Sequence, residues 1–193
     1  MAKKLDDKRN VLINLTEPLS EIFNQDKNEG ESLDFIQVLS SRSNIINKVE
    51  QLEKSAKFEI ISFCKPPYLQ NISASHSKER MDVITNSSKI SQKSIYEIEN
   101  ENIEDFLAWI KIFEDAGEEV RVCKKLPIKF VIFDKQRVVC TVKSPLLEND
   151  QFTAMFIYNN ELADALICTF NYYWNNSMTI EEFIQSEKRK EEK

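Results

Sequence analysis

The sequence predicts an α/β domain, a mixed sheet flanked by helices, and three observations carry that expectation. Apolar segments of strand character alternate with amphipathic helical segments along most of the chain. Between two apolar strands stands the connection Asp134-Lys135-Gln136, short enough to demand an antiparallel pair, so the sheet is not wholly parallel. A helix with leucines at heptad spacing precedes the domain.

Residues 3–24 read as that helix. Leu5, Leu12 and Leu19 recur every seven, and Leu15 and Ile22 fill the alternate seam position. Lys8 interrupts the seam, and Pro18 kinks the helix or ends its first part. Such a seam either pairs with a second copy, giving a coiled-coil homodimer, or packs on its own domain. The polar run Asn24–Ser32, with Gly30, is a linker. The expected organisation is a dimerisation and linker helix at 1–30, the main domain at 31–178, and a charged helix or tail at 179–193.

Leu33–Leu39 is a strand candidate, and Ser41 or Ser43 caps the helix after it. That helix places Ile45, Ile46, Val49 and Leu52 on one face. Lys57–Cys64 is β-rich and stops at Pro66-Pro67. These three segments predict a β-α-β unit with parallel pairing. Asn71–Ser94 is polar, with Met81–Thr85 a short strand or helical turn and Ser94–Ile98 a strand. A helix with Ile103, Phe106, Leu107, Ile110 and Phe113 on one face ends at Ala116-Gly117, glycine serving as the left-handed cap. Val120–Cys123, Lys129–Phe133, Val138–Val142 and Phe152–Tyr158 are strands. Asn159 or Asn160 caps a helix whose stripe Leu162, Leu166, Phe170, Tyr173 and Trp174 reads as core. Met178–Lys193 reads as a surface helix fraying into charge.

Composition removes several function classes. Gly30 and Gly117 are the only glycines, so a glycine-rich phosphate loop is excluded. A net charge of −6 is no footprint for nucleic acid. Cys64, Cys123, Cys140 and Cys168 lie in apolar runs without metal-ligand or redox spacing, which predicts reduced core thiols in a cytoplasmic protein and no metal or cofactor. No apolar run approaches the roughly 20 residues of a membrane span. The basic N-terminus has no apolar region behind it and is no signal peptide.

The chemistry concentrates in Glu118–Ser144. Lys129 and Asp134 stand five apart, and an odd spacing puts them on opposite faces of a regular strand. A bend or bulge would bring both into one cleft. They then supply a cation and an acceptor for a polyol or an anionic metabolite; alternatively they form an ion pair or cap a turn. Other polar groups near strand ends are Lys65, Tyr68, Arg121 and Lys125. Lys-x4-Asp is also the second half of the phospholipase D signature, His-x-Lys-x4-Asp. Pro127 occupies the histidine position here and has no lone pair to attack phosphorus. His76, the only histidine, sits in a polar loop with no acid or nucleophile beside it. No catalytic residue is expected.

Pro66-Pro67-Tyr68, then Ala116-Gly117-Glu118-Glu119-Val120-Arg121-Val122, then Leu126–Asp134, then Phe170–Trp174 together resemble the C-terminal sensor domain of TrmB-family transcriptional regulators. The likeness runs from about Leu33 to Asn176. It implies a phospholipase D-like fold that has lost catalysis and serves as a sensor and dimer module, taking a sugar or an anionic metabolite. In such regulators a winged helix precedes the domain through a dimerising helix, a place that residues 3–24 fit. DNA contact then belongs to a winged helix not found in this sequence, so the chain reads as a truncated regulator, a fragment or a stand-alone sensor. The competing functions are a phospholipase D-type phosphodiesterase or nuclease, and a protein-interaction adaptor without a pocket.

Overall fold

The computed structural model describes residues 35–66, 68, 90–98, 102–143 and 152–191. The leucine seam (Leu5, Leu12, Leu15, Leu19, Ile22), His76 and the Met81–Thr85 segment lie outside the described residues. The elements are β1 (Ile36–Leu39), α1 (Arg42–Ser55), β2 (Glu59–Cys64), β3 (Ser91–Glu97), α2 (Ile103–Asp115), β4 (Glu119–Cys123), β5 (Lys129–Phe133), β6 (Arg137–Lys143), β7 (Phe152–Tyr158), α3 (Asn160–Asn176) and α4 (Ile180–Glu191).

Seven strands form one sheet in the order β1-β7-β6-β5-β2-β3-β4. Strands β2, β3 and β4 are parallel; β2 to β5, β5 to β6, β6 to β7 and β7 to β1 are antiparallel. Alternation along each strand sorts side chains to two faces. Ile61, Phe63, Ile95, Phe130, Ile132 and Val138 pack under Ala163 and Phe170 of α3. On the opposite face Ile60, Phe133, Val139, Ala154 and Phe156 pack under Ile45 and Ala56 at the two ends of α1. Tyr96, Val120 and Val122 pack with Phe106, Trp109, Ile110 and Phe113 of α2.

The expected parallel β-α-β opening is not what forms. β1 pairs antiparallel with β7, and β7, β6 and β5 separate it from β2. The reason lies in α1, whose core side chains reach residues of β2, β5, β6 and β7. A helix lying across four strands links β2 to the far edge of the sheet rather than to a neighbour.

Local signals act as chemistry dictates. The Asn159 side-chain oxygen accepts from Leu162 N at 2.7 Å and starts α3. Ser41 occupies the N-cap of α1 without a side-chain capping bond; its hydroxyl meets that of Ser43 instead. Gly117 ends α2 at φ +113°, a conformation that side chains rarely adopt. Thr179 and Glu182 make a reciprocal capping box on α4, with Glu182 N to the Thr179 hydroxyl and Thr179 N to the Glu182 carboxylate. The expectation of a surface helix at the C-terminus needs correction. Ile180 and Phe183 are buried beside α2 and β4, and Met178 exchanges two backbone hydrogen bonds with Val122 at the sheet edge. The four thiols are not uniformly core: Cys140 is buried, Cys64 and Cys123 are half-buried, and Cys168 is exposed on α3.

Asp134 and Lys135, both at positive φ, turn β5 into β6 in the manner of a primed hairpin. The Asp134 carboxylate accepts from the backbone N–H of Lys57, Phe58 and Glu59, and from Arg137. Burial by itself raises its pKa, but the three N–H donors and Arg137 outweigh that and hold it below the ordinary 3.8. A depressed carboxylate pKa contributes stability above the unfolded-state value and loses it as pH falls. Asp134→Ala is expected to cost about 2 kcal/mol in urea unfolding at pH 7. That difference from the parent should shrink below pH 4.

Candidate functional site

The sheet changes direction at β2, which is parallel to β3 and antiparallel to β5. Over that seam, on the face carrying α1 and α2, opens a cavity of about 110 Å³. Its floor is every second residue of adjacent strands: Ile60, Ser62 and Cys64 from β2, Gln92 and Ser94 from β3, Lys129 and Val131 from β5, Val139 and Thr141 from β6. Ile46, Val49, Glu50 and Glu53 form one wall, a single stripe of α1 at helical spacing. Trp109, Tyr68 and Glu118 form the other.

The floor is polar where a core is usually apolar. Ser62 and Ser94 are buried and their hydroxyls lie 2.8 Å apart. Gln92 is 8% exposed, and its Nε2 is the one buried side-chain nitrogen or oxygen without a hydrogen-bond partner among the described residues. An orphaned buried donor of this kind costs about 1–3 kcal/mol, so something has to repay its retention. Glu118 is buried and accepts a hydrogen bond from the Tyr96 hydroxyl at 3.3 Å.

Lys129 is the cation on this floor. Its ammonium stands 5.7 Å from the centre of the Tyr68 ring. Burial, the dominant cause, pushes its pKa from 10.5 down to about 8; nearby Cys64 opposes that shift and Arg42 adds to it. The Tyr68 hydroxyl donates to Glu97 O at 3.1 Å, its ring packs edge-on at 5.3 Å to Trp109, and its carbonyl accepts from Arg42.

Of the five residues expected to bind a ligand, Lys129 and Tyr68 line one cavity and the other three do not. Asp134 sits at the opposite end of β5 from Lys129, where it braces the turn. No bend or bulge joins the two, because β5 stays in regular register with both neighbours. Lys65 donates to Leu126 O at 2.7 Å and pairs with Glu97 at 3.5 Å. Arg121 donates to Trp174 O and Ser177 O at 3.0 Å, with its guanidinium 5.0 Å over the Trp174 ring, which closes the C-terminal end of α3. Pro127 is exposed, two residues before Lys129. Gln92, Ser62, Ser94, Trp109 and Glu118 were not singled out from the sequence. The signal available was the alternation Gln92, Ser94, Tyr96, which share the buried face of β3. Among the described residues no cluster of three or more histidine, cysteine or acidic side chains could hold a metal ion. No described helix is long and apolar enough to cross a membrane.

Comparisons with known proteins point one way on fold and family. The family description "Transcriptional regulator TrmB, EBD N-terminal subdomain" matches residues 35–181. No curated protein sequence matches the chain. Among solved structures, the archaeal chromatin protein TrmBL2, described as showing a novel mode of DNA binding, aligns at TM-score 0.58 and 15% identity, over 92% of this chain and 66% of that one. The chain thus spans a little under two thirds of that protein's length. Nuc from Salmonella typhimurium, a phospholipase D family member, aligns at TM-score 0.57 and 18% identity, over 74% of this chain and 95% of its own. NucT from Helicobacter pylori aligns at 0.58 and 12%, over 75% and 98%. These structural alignments establish a phospholipase D-like fold.

Two outcomes follow from the geometry. A lysine pKa lowered on folding means that the unfolded chain binds the proton more tightly between about pH 8 and 10.5, so stability should rise with pH across that window. In Lys129→Met, chemical unfolding should show that rise gone and stability at pH 7 increased by about 1–2 kcal/mol. Gln92→Met, which removes the orphaned amide at nearly constant volume, should raise the melting temperature of the unliganded protein, by about 1 kcal/mol in stability.

Proposed function

The chain belongs to the TrmB family of transcriptional regulators, and from that premise we propose that it is a non-catalytic, ligand-sensing and dimerising effector domain acting in the cytoplasm. One observation carries the ligand-sensing part: the cavity beneath α1 and α2 keeps a buried, unpartnered amide donor at Gln92 beside the burial-weakened cation of Lys129. A fold selected for stability alone would fill that seam with apolar side chains. The absence of catalysis is argued from Pro127, which stands where the phospholipase D signature has its nucleophile. The effector on this reading is a small polar metabolite, a sugar or an anion. The dimer rests on the seam of Leu5, Leu12, Leu15, Leu19 and Ile22. Contact with DNA on this reading goes through a winged-helix domain and not through the acidic sheet domain.

The test is a thermal-shift and calorimetric screen of the full chain with maltose, glucose 6-phosphate, citrate and other small polar metabolites. At least one probe should raise the melting temperature, and Lys129→Met should abolish the shift while remaining folded. A screen in which no polar metabolite binds would sink the sensing reading. For the dimer, light scattering of the parent should give twice the chain mass, and the double variant Leu12→Asp, Leu19→Asp should give a monomer; a parent that is already monomeric counts against it. Turnover of a generic phosphodiester by the parent and not by Lys129→Met would favour the enzymatic alternative.

A further inference from the structure

The cavity has two chemically opposite sides, and that narrows the ligand more than the presence of a pocket does. Its floor is rich in donors. Gln92 Nε2 lacks an acceptor. In the Ser62–Ser94 pair one hydroxyl donates to the other, so one proton is left over for a third group. Lys129 adds an ammonium to the same floor. An occupant therefore has to offer oxygen acceptors downward. The α1 wall is the reverse. Glu50 and Glu53, three apart on one helical face, look onto the same cavity. With Glu118 on the other wall, three carboxylates share the cavity with one lysine, which disfavours a doubly charged anion and favours a ligand that carries a cation on its other end. Between the two charged sides the lining is aliphatic: Ile46, Val49, Ile60, Val131 and Val139.

Resting on the reading of this cavity as the effector site, we infer that the ligand is a small zwitterion, an α-amino acid with an apolar side chain. Its carboxylate takes the Gln92 amide and the Lys129 ammonium, its ammonium faces Glu50 and Glu53, and its side chain lies on the aliphatic strip. Such a ligand gives the orphaned amide its missing acceptor. It also presents charges of both signs to a lining that carries both, which a neutral polyol or a simple anion does not.

The experiment is isothermal titration of the full chain with L-leucine, L-isoleucine, L-valine and L-methionine. Each is compared with one-ended analogues of leucine: isocaproate, which lacks the amine, and isoamylamine, which lacks the acid. Maltose and glucose 6-phosphate are titrated in parallel. At least one amino acid should bind, about tenfold or more tightly than either one-ended analogue. Gln92→Leu and Glu50→Gln should each weaken it by about tenfold, with cooperative melting of both variants confirming their fold. The Glu50 position, half-exposed on α1, supplies a variant whose folding does not depend on the buried floor. Isocaproate binding as tightly as leucine would overturn the inference, because the acidic wall would then be idle. Binding of maltose or glucose 6-phosphate without any amino acid would also overturn it, while leaving the effector site in place. No binding by any probe would remove both readings together.

Discussion

Everything distinctive about this molecule depends on the register between β2 and β5. Phe63 stands opposite Phe130, and Ile60 opposite Phe133. That pairing joins the parallel half of the sheet to the antiparallel half and leaves Lys129 on the face between α1 and α2. Because side chains alternate with period two, a slip of one residue would send Lys129 to the α3 face and turn the Phe130 ring toward α1 and α2. The register is held from both ends. Phe63 and Phe130 pack as a tilted ring pair with centroids 4.4 Å apart beneath α3, and the Asp134 carboxylate ties the start of β2 to the hairpin that ends β5. Aromatic packing and a charge-assisted clamp thus fix the strand that carries Lys129.

The protein retains polar groups in a place where they destabilise it. Ser62, Ser94, Gln92 and Glu118 are all buried, and three of them project from the adjacent parallel strands β2 and β3. The surrounding clusters are well filled: aromatic side chains from α2 and α3 close both faces with ring pairs at 5–6 Å. The polar seam is therefore a local exception within a competent core, which is the pattern expected of a functional site rather than of a weak fold. The likeness to phospholipase D-family structures is one of backbone. At 18% identity it does not extend to function, and Pro127 stands where the phospholipase D signature has its histidine.

Much of the fold was legible in the sequence. The helices and strands among the described residues follow from apolar periodicity, and Asn159, Gly117 and the turn at Asp134-Lys135-Gln136 act as their chemistry suggests. Strand order was not legible, because alternation says which segments are strands and not which lie side by side. The first strand was expected beside the second, and only the span of α1 across the sheet, a property of the folded chain, places it elsewhere. The site was half legible. Lys129 stood out through its spacing to Asp134, yet that spacing misled as to its partner. The backbone donors that Asp134 accepts from lie more than seventy residues earlier and leave no local mark. Gln92 escaped notice because a glutamine between two serines near a polar segment looks like surface, and only burial shows otherwise.

The pairing of β1 with β7 sets the order in which the chain can assemble. Ile36 waits for Ile157, and Leu39 for Ala154, so the far edge of the sheet cannot close until nearly all of the domain has left the ribosome. Contacts of such long sequence separation come late, after their loop-closure entropy has been met. During synthesis β7 would therefore present an open flank until β1 docks, and it is at that flank, rather than at the cavity, that nascent copies of this chain are most exposed to pairing with one another.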